Sequence, residues 1–316
     1  MPMISVVVPV YNNAPSLPLL HKRVTEALQT IANEYEFVFV DDSSADDSFA
    51  VLQSLAAQDT RVKALRLVRN FGSNTAILAG LTHARGDCVV VISADLQDPP
   101  ELIPEMIRHW QRGVKVVLAA RSTRRDPFLT RLFANAFNWL FRRLVFPSFP
   151  RQGFDFFLAD RQVVRVLVQS AERNAYLMGL LLWSGFKFET VVYAREERPF
   201  GKSQWNLGKK IKYFIDAFVG FSYLPLRLAS LCGISFAVFG FLYALFVLAL
   251  RIFQGFPVEG WASLMIVLLI VSGIQMTMLG ILGEYLWRTL DETRRRPLFL
   301  IAETIRIDLE SARTVE

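Results

Sequence analysis

The chain is poor in the residues that hold metals or build covalent scaffolds. It has two cysteines and three histidines in 316 residues. Cys88 and Cys232 fall in a predicted strand and a predicted apolar helix, so they are not placed to meet in a disulfide, and neither has metal-type spacing. A disulfide framework is excluded, and a reducing compartment fits. His21, His83 and His109 lie in helical patterns without ligand spacing and read as structural or surface residues. There is no internal repeat and no low-complexity segment. The N-terminal Met1-Pro2-Met3-Ile4 has no basic region and runs straight into a strand, so the first part of the chain is expected to stay in the cytosol. Net charge is only +6. Much of it sits beside apolar segments and suits anionic lipid, so nucleic acid need not be invoked.

Charge is also missing from two long stretches, Leu228–Leu250 and Trp261–Gly283. Each provides about 35 Å of helix, enough for a bilayer core of about 30 Å. Hydrophobic residues make up 53% of the chain and mean hydropathy is +0.32. Lys209, Lys210, Lys212 and Arg227 precede the first stretch, and Arg288, Arg294, Arg295 and Arg296 follow the second. The connecting loop carries Arg251 and Glu259. Both ends are therefore expected in the cytosol.

The first 120 residues alternate between Val/Ile/Leu-rich strands and helical patterns. Strands are expected at Ile4–Val8, Glu36–Val40, Val62–Val68, Cys88–Ser93 and Lys115–Ala120. Further strands are expected at Gly153–Leu158 and Lys187–Ala194. Alternation of this kind gives a mostly parallel, Rossmann-like α/β sheet covered on both faces. Right-handed crossovers line up the carboxyl ends of its strands. Two basic, aromatic amphipathic segments, 126–146 and 205–224, are expected at the membrane interface, although the first also has the periodicity of a core helix. The expected organisation is a cytosolic α/β domain at 1–204, a two-helix transmembrane hairpin at 225–287 and a cytosolic tail at 288–316.

The most informative segment is Cys88–Glu101. An apolar strand ends in Ala94-Asp95-Leu96-Gln97-Asp98, and Pro99-Pro100 opens a helix. Ligands bind at such strand ends, and oxygen donors there suit Mg²⁺ or Mn²⁺ with a diphosphate. An Asp-capped turn is the plain alternative for the motif in isolation. Asp41-Asp42 ends the second strand, where a carboxylate can reach a nucleoside, though Asp-Asp-Ser-Ser is also a good helix cap. Asp155 reaches the same edge if its strand joins the sheet. Arg121, Arg124, Arg195, Arg198 and Lys202 lie in loops, and arginine forks match phosphate oxygens. A metal–diphosphate site and a bilayer in one chain suggest a nucleotide-diphosphate donor and a lipid acceptor.

At this point the chain resembles the polyisoprenyl-phosphate glycosyltransferases, inverting GT-A-type enzymes of glycosyltransferase family 2 related to dolichol-phosphate mannose synthase. The resemblance rests on Val8-Pro9-Val10-Tyr11-Asn12, Val40-Asp41-Asp42-Ser43-Ser44, Arg69-Asn70-Phe71-Gly72 and Ala94-Asp95-Leu96-Gln97-Asp98-Pro99-Pro100-Glu101. It continues through Gly153-Phe154-Asp155-Phe156, Phe200-Gly201-Lys202-Ser203 and Leu282-Gly283-Glu284-Tyr285, nearly the whole chain. It implies that Pro9, Tyr11, Asn12, Asp41 and Asp42 line the nucleoside pocket, and that Asp95 and Gln97 hold the metal. Asp155, with Arg121 and Arg124, would serve the reacting centre. Arg131, Arg195, Arg198, Lys202 and Ser203 would receive phosphate groups. It also implies a homotetramer in the bacterial inner membrane. The chain departs from the family pattern at Ser93, where an Asp is common, and at Asn13, where an acidic residue is common.

The expected reaction moves one sugar from a nucleotide sugar to polyprenyl phosphate at the cytosolic membrane face, giving a β-linked product. UDP-glucose is the preferred donor, with GDP-mannose and other UDP-hexoses open. A processive polysaccharide synthase would need more spans and a Gln-x-x-Arg-Trp segment, which Gln204-Trp205 does not supply. A non-catalytic scaffold or flippase subunit would not need the intact Asp95, Gln97, Asp155 and arginine set.

Overall fold

The computed structural model describes residues 2–32, 34–122, 139, 141–147, 149–150, 153–172, 176–200, 220–254 and 260–307. The chain divides into two compact units, 1–220 with 297–316, and 221–296. In the first unit, strands β1 (Ile4–Val10), β2 (Tyr35–Asp41), β3 (Val62–Leu67), β4 (Cys88–Val91), β5 (Val116–Arg121), β6 (Phe156–Asp160), β7 (Phe188–Tyr193) and β8 (Ile301–Ile305) form one sheet. Their order is β7-β5-β6-β4-β1-β2-β3-β8. Pairings β1–β2, β1–β4, β2–β3 and β5–β7 are parallel. β6 runs antiparallel to β4 and β5, and β8 antiparallel to β3.

Central strands are apolar on both faces because helices cover both faces. Every residue of β2 is buried, including Glu36. That carboxylate is satisfied by the Ser5 hydroxyl at 2.6 Å, the Arg85 amide at 2.6 Å and the Lys63 ammonium. Helices α1 (Leu17–Gln29), α2 (Ser48–Gln58), α3 (Ser73–His83), α4 (Ile103–Gln111), α5 (Arg161–Gln169) and α6 (Leu177–Trp183) complete the layers. A short 3₁₀ turn at Pro100–Leu102 leads into α4.

The seven strands expected from the pattern all form, with ends shifted by a few residues. Segment 288–316, expected to be a plain tail, holds an eighth. Ile301–Ile305 pairs with β3, and Arg66 donates to Glu303 at 3.2 Å across that pairing. A five-residue strand that reads Ile-Ala-Glu-Thr-Ile, without period-2 alternation, carries no pattern that stands out from a tail. Most of the two expected interfacial segments, 126–146 and 205–224, lies outside the described residues.

The second unit contains α7 (Leu224–Gln254) and α8 (Trp261–Thr293). Within them, Leu226–Ala249 and Ser263–Thr293 have mean hydropathy 2.4 and 2.3 and bury none of their apolar windows in protein. Phe239 is 71% exposed and Phe253 is 84% exposed. Such surfaces mark lipid or partner contacts, and their length makes these helices candidate membrane spans. Gly233 packs near Met278, where a Cβ would lie 3.5 Å from the methyl carbon. Gly273, Gly280 and Gly283, which suit helix packing by composition, have nothing within 4 Å of a built Cβ.

Gly80 on α3 allows the helix to lie against β1 and β2, because a Cβ there would fall 2.3 Å from Val7 Cγ1 and 3.2 Å from Val40 Cγ2. Gly80→Ala is expected to overpack this contact by about 1–3 kcal/mol. For a domain of this size that lowers the melting temperature by roughly 2–10 °C, readable from tryptophan fluorescence on heating. An unchanged melting temperature would show that the contact can relax.

Candidate active site

Strand direction builds the site. β1 to β5 and β7 share one direction, so Val10, Asp41, Val91, Arg121 and Tyr193 close their strands at one edge. β6 runs the other way, which brings its start, and Asp155 just before it, to that same edge. The condition attached to Asp155 from the sequence is therefore met.

At the β1 and β2 ends the polar groups largely bind one another. The Asn12 amide donates to Ser44 Oγ at 3.0 Å, and Asn12 Oδ1 accepts from the Ala45 amide at 2.9 Å. Asp41 is fully buried, accepts from the Ser44 amide at 3.2 Å and lies 3.6 Å from Arg66 Nε. Asp42 is 3% exposed. Its two oxygens accept from the amides of Phe71 at 2.7 Å and Gly72 at 2.8 Å. Asp42 thus shapes the Arg69–Gly72 loop, a role its position in the sequence did not suggest. Burial pushes its carboxyl up to about 6, against the pull of the two amides. Pro9 and Tyr11 are half-buried beside this network.

After β4 the chain turns sharply. Leu96 takes φ 58° with its side chain 1% exposed. Asn12 and Ser43 also take left-handed φ, at 54° and 58°. Each such non-glycine residue costs roughly 1–3 kcal/mol, and such strain clusters at functional sites. The Leu96 turn aims Asp95 and buries the side chain beside it. Asp95 Oδ1 accepts from the Gln97 amide at 3.2 Å, and Oδ2 pairs with Arg198. The Gln97 carbonyl accepts from the Glu196 amide at 3.0 Å.

Asp98, grouped by sequence with the metal donors, is fully buried behind this loop. It accepts from the Tyr193 hydroxyl, and Oδ2 has no hydrogen-bond partner among the described residues. Burial raises its pKa, with Arg121 pulling the other way. Arg121 pairs with Asp155. Burial opposes its charge, but Asp155 and Asp98 outweigh that and raise its pKa overall. Asp98, Tyr193, Arg121 and Asp155 form a continuous polar chain from the interior to a half-exposed carboxylate.

No cluster of three or more acidic, histidine or cysteine residues that could hold a metal occurs among the described residues. That is compatible with Mg²⁺ or Mn²⁺, which are often held by one or two carboxylates and complete their shell from phosphates and water. Asp95 and Gln97 are oxygen donors of that kind. Arg195 is half-buried, with Nε lacking a hydrogen-bond partner among the described residues. Arg124, Arg131, Lys202 and Ser203 lie outside the described residues.

A mostly parallel sheet with an Asp-x-Gln turn at its carboxyl edge, facing arginines, has the architecture of the GT-A-type glycosyltransferases. Residues 5–167 match the family described as glycosyl transferase family 2, and the chain belongs to that family. It is 40% identical over 305 residues to the uncharacterized glycosyltransferase YkcC of Bacillus subtilis, covering 96% of this chain and 94% of that one. It is 38% identical over 304 residues to the bactoprenol glucosyl transferase of Shigella phage SfII, covering 96% and 98%. Glucosyl-3-phosphoglycerate synthase from Mycobacterium tuberculosis, solved with Mn²⁺, UDP-glucose and phosphoglyceric acid, shares the fold. Its TM-score is 0.51 at 20% identity, over 68% of this chain and 79% of that one.

The raised Asp42 pKa has a definite sign. Burial moves the carboxyl from its ordinary 3.8 up to about 6 in the folded protein, so between these values the folded state keeps a proton that the unfolded state has lost. Stability from this group is full below about pH 4 and is lost as pH rises through 6. Asp42→Asn is expected to lower the melting temperature at pH 5 and to flatten its decline between pH 4 and 6.5. The same decline in the variant would assign it to another group.

Proposed function

We propose that this protein transfers a single glucose from UDP-glucose to polyprenyl phosphate at the cytosolic face of the bacterial inner membrane, with inversion, using Mg²⁺ or Mn²⁺. One observation carries the reading: a chain with Asp95 at its strand edge and two candidate spans aligns almost end to end with a bactoprenol glucosyl transferase.

The chemistry needs an anionic nucleophile, a stabilised leaving group and a fixed sugar. The acceptor phosphate oxygen is already anionic, so no strong general base is required. It attacks the anomeric carbon from the side opposite the diphosphate. The carbon–oxygen bond to the diphosphate breaks, and an α-linked donor gives a β-linked product. A divalent cation, when bound, neutralises the departing diphosphate, and Asp95 and Gln97 would hold it. Arg195 and Arg198, with Lys202 and Ser203, would take phosphate oxygens. Arg121 would hold Asp155 oriented beside the sugar, with Arg124 near the reacting centre and Arg131 receiving the acceptor phosphate. Pro9, Tyr11, Asn12 and Asp41 would line the nucleoside pocket, with Asp42 supporting it from behind.

We assign the catalytic domain to 1–204, joined by Ile301–Ile305. Segments 126–146 and 205–224 would lie at the membrane interface, 225–287 would cross it, and the working form would be a homotetramer. Since 297–316 belongs to the same unit as 1–220, both ends of the helical hairpin return to one domain. This agrees with the basic residues flanking the spans.

Purified protein given labelled UDP-glucose, polyprenyl phosphate and Mn²⁺ should place label in the lipid fraction. Asp95→Asn should lose at least about 100-fold in rate, in line with loss of a transition-state charge contact, while keeping its melting temperature. Labelled lipid from GDP-mannose alone would replace the donor. A long polymer would point to a processive synthase, and full activity of Asp95→Asn would remove Asp95 from the mechanism. Orientation is separately testable. A Val258→Cys variant, placed in the sequence between the two apolar stretches, should react with a membrane-impermeant maleimide from outside intact spheroplasts, and protection there would reverse the topology.

A further inference from the structure

Arg23 lies on α1, with no place in the chemistry outlined above, yet its guanidinium joins two loops of the site. Nε and Nη2 donate to Glu101, each at 2.8 Å. Nη1 and Nη2 donate to Glu196, each at 2.9 Å. The hydrogen bonds to Glu196 and Glu101 hold the Arg23 pKa above its ordinary value, and Arg23 holds the Glu101 carboxyl below its own. Glu101 follows the Asp95–Asp98 turn, whereas Glu196 belongs to the loop after β7 that carries Arg195 and Arg198.

That second loop is attached to the first at three points: the Arg23 clamp, the Glu196 amide on the Gln97 carbonyl at 3.0 Å, and Arg198 on Asp95. An isolated exposed ion pair is worth about 0–1 kcal/mol, with bidentate networks the exception. Here one guanidinium satisfies two carboxylates in fork geometry. Arg23 keeps 20% of its side-chain surface, and Glu101 and Glu196 keep 57% and 43%. The clamp is therefore too exposed to be a major source of global stability. It governs where the loop sits, and a loop already held in its binding position spares part of the ordering cost of taking a ligand.

We propose that Arg23 is a positioning residue for the donor diphosphate: through Glu101 and Glu196 it holds the loop bearing Arg195 and Arg198 against Asp95. This rests on the donor reading above. The ligand class follows from the groups presented, two guanidinium side chains beside a carboxylate and an amide suited to a hard cation, which match a nucleoside diphosphate.

The test is titration of UDP-glucose into the full-length detergent-purified protein with Mn²⁺, together with steady-state kinetics. Arg23→Ala should weaken UDP-glucose binding and raise the donor KM about tenfold, with kcat within about threefold and the melting temperature within about 2 °C. Arg23→Lys, a point charge without the fork, should fall between this variant and wild type. Glu196→Ala leaves Arg23 on Glu101 and should reproduce the donor defect, and the double variant should be no worse than either single one. If Arg23→Ala does not fold, Glu196→Ala decides the matter. Unchanged donor binding in both variants, beside normal wild-type binding, overturns the role of Arg23 alone, and so does a loss confined to kcat. Wild-type protein that binds no UDP-glucose overturns the donor reading and this inference with it.

Discussion

The site depends on the direction of one strand. β6 enters the sheet between β4 and β5 and opposes both. Had it run parallel, Asp155 would lie at the far edge, away from Asp95 and Arg121. Because it is reversed, the residue that precedes it meets the residues that end its neighbours. The hydrogen-bond ladder enforces this, since register Ala119↔Phe156 leaves Arg121 and Asp155 just beyond the last paired residues.

Charge balance is the second organising principle. Each carboxylate at the edge has a cation or backbone donors: Asp95 has Arg198, Asp155 has Arg121, and Asp42 has two amides. A half-buried carboxylate without a partner would be driven towards its neutral form. Pairing orders these groups at the sheet edge.

Much of the architecture was legible. Runs such as Ile4–Val10 and Val116–Arg121 are too apolar for any place but a doubly covered sheet, and they form one. The two charge-free stretches form helices long enough to span a bilayer. What was less legible depended on distant partners. Asp98 looks like a metal donor beside Asp95, but the Leu96 turn sends it inward to Tyr193. Asp42 reads from its strand end as a nucleoside-pocket residue, and only the fold shows that its oxygens also accept from the amides of residues 71 and 72. Ile301–Ile305 looks like a tail, but it finds the open edge of β3.

The sequence by itself determined the class of fold, the candidate spans and the sheet edge that carries the candidate site. These follow from local periodicity and from where apolar runs stop. Only the tertiary structure decided which polar residues face a ligand and which hold the frame. Arg23, Glu101 and Glu196 meet although 78 and 173 positions separate the arginine from its partners. No local pattern encodes such a contact, because it arises only when strand order and helix packing bring separate loops within hydrogen-bonding distance.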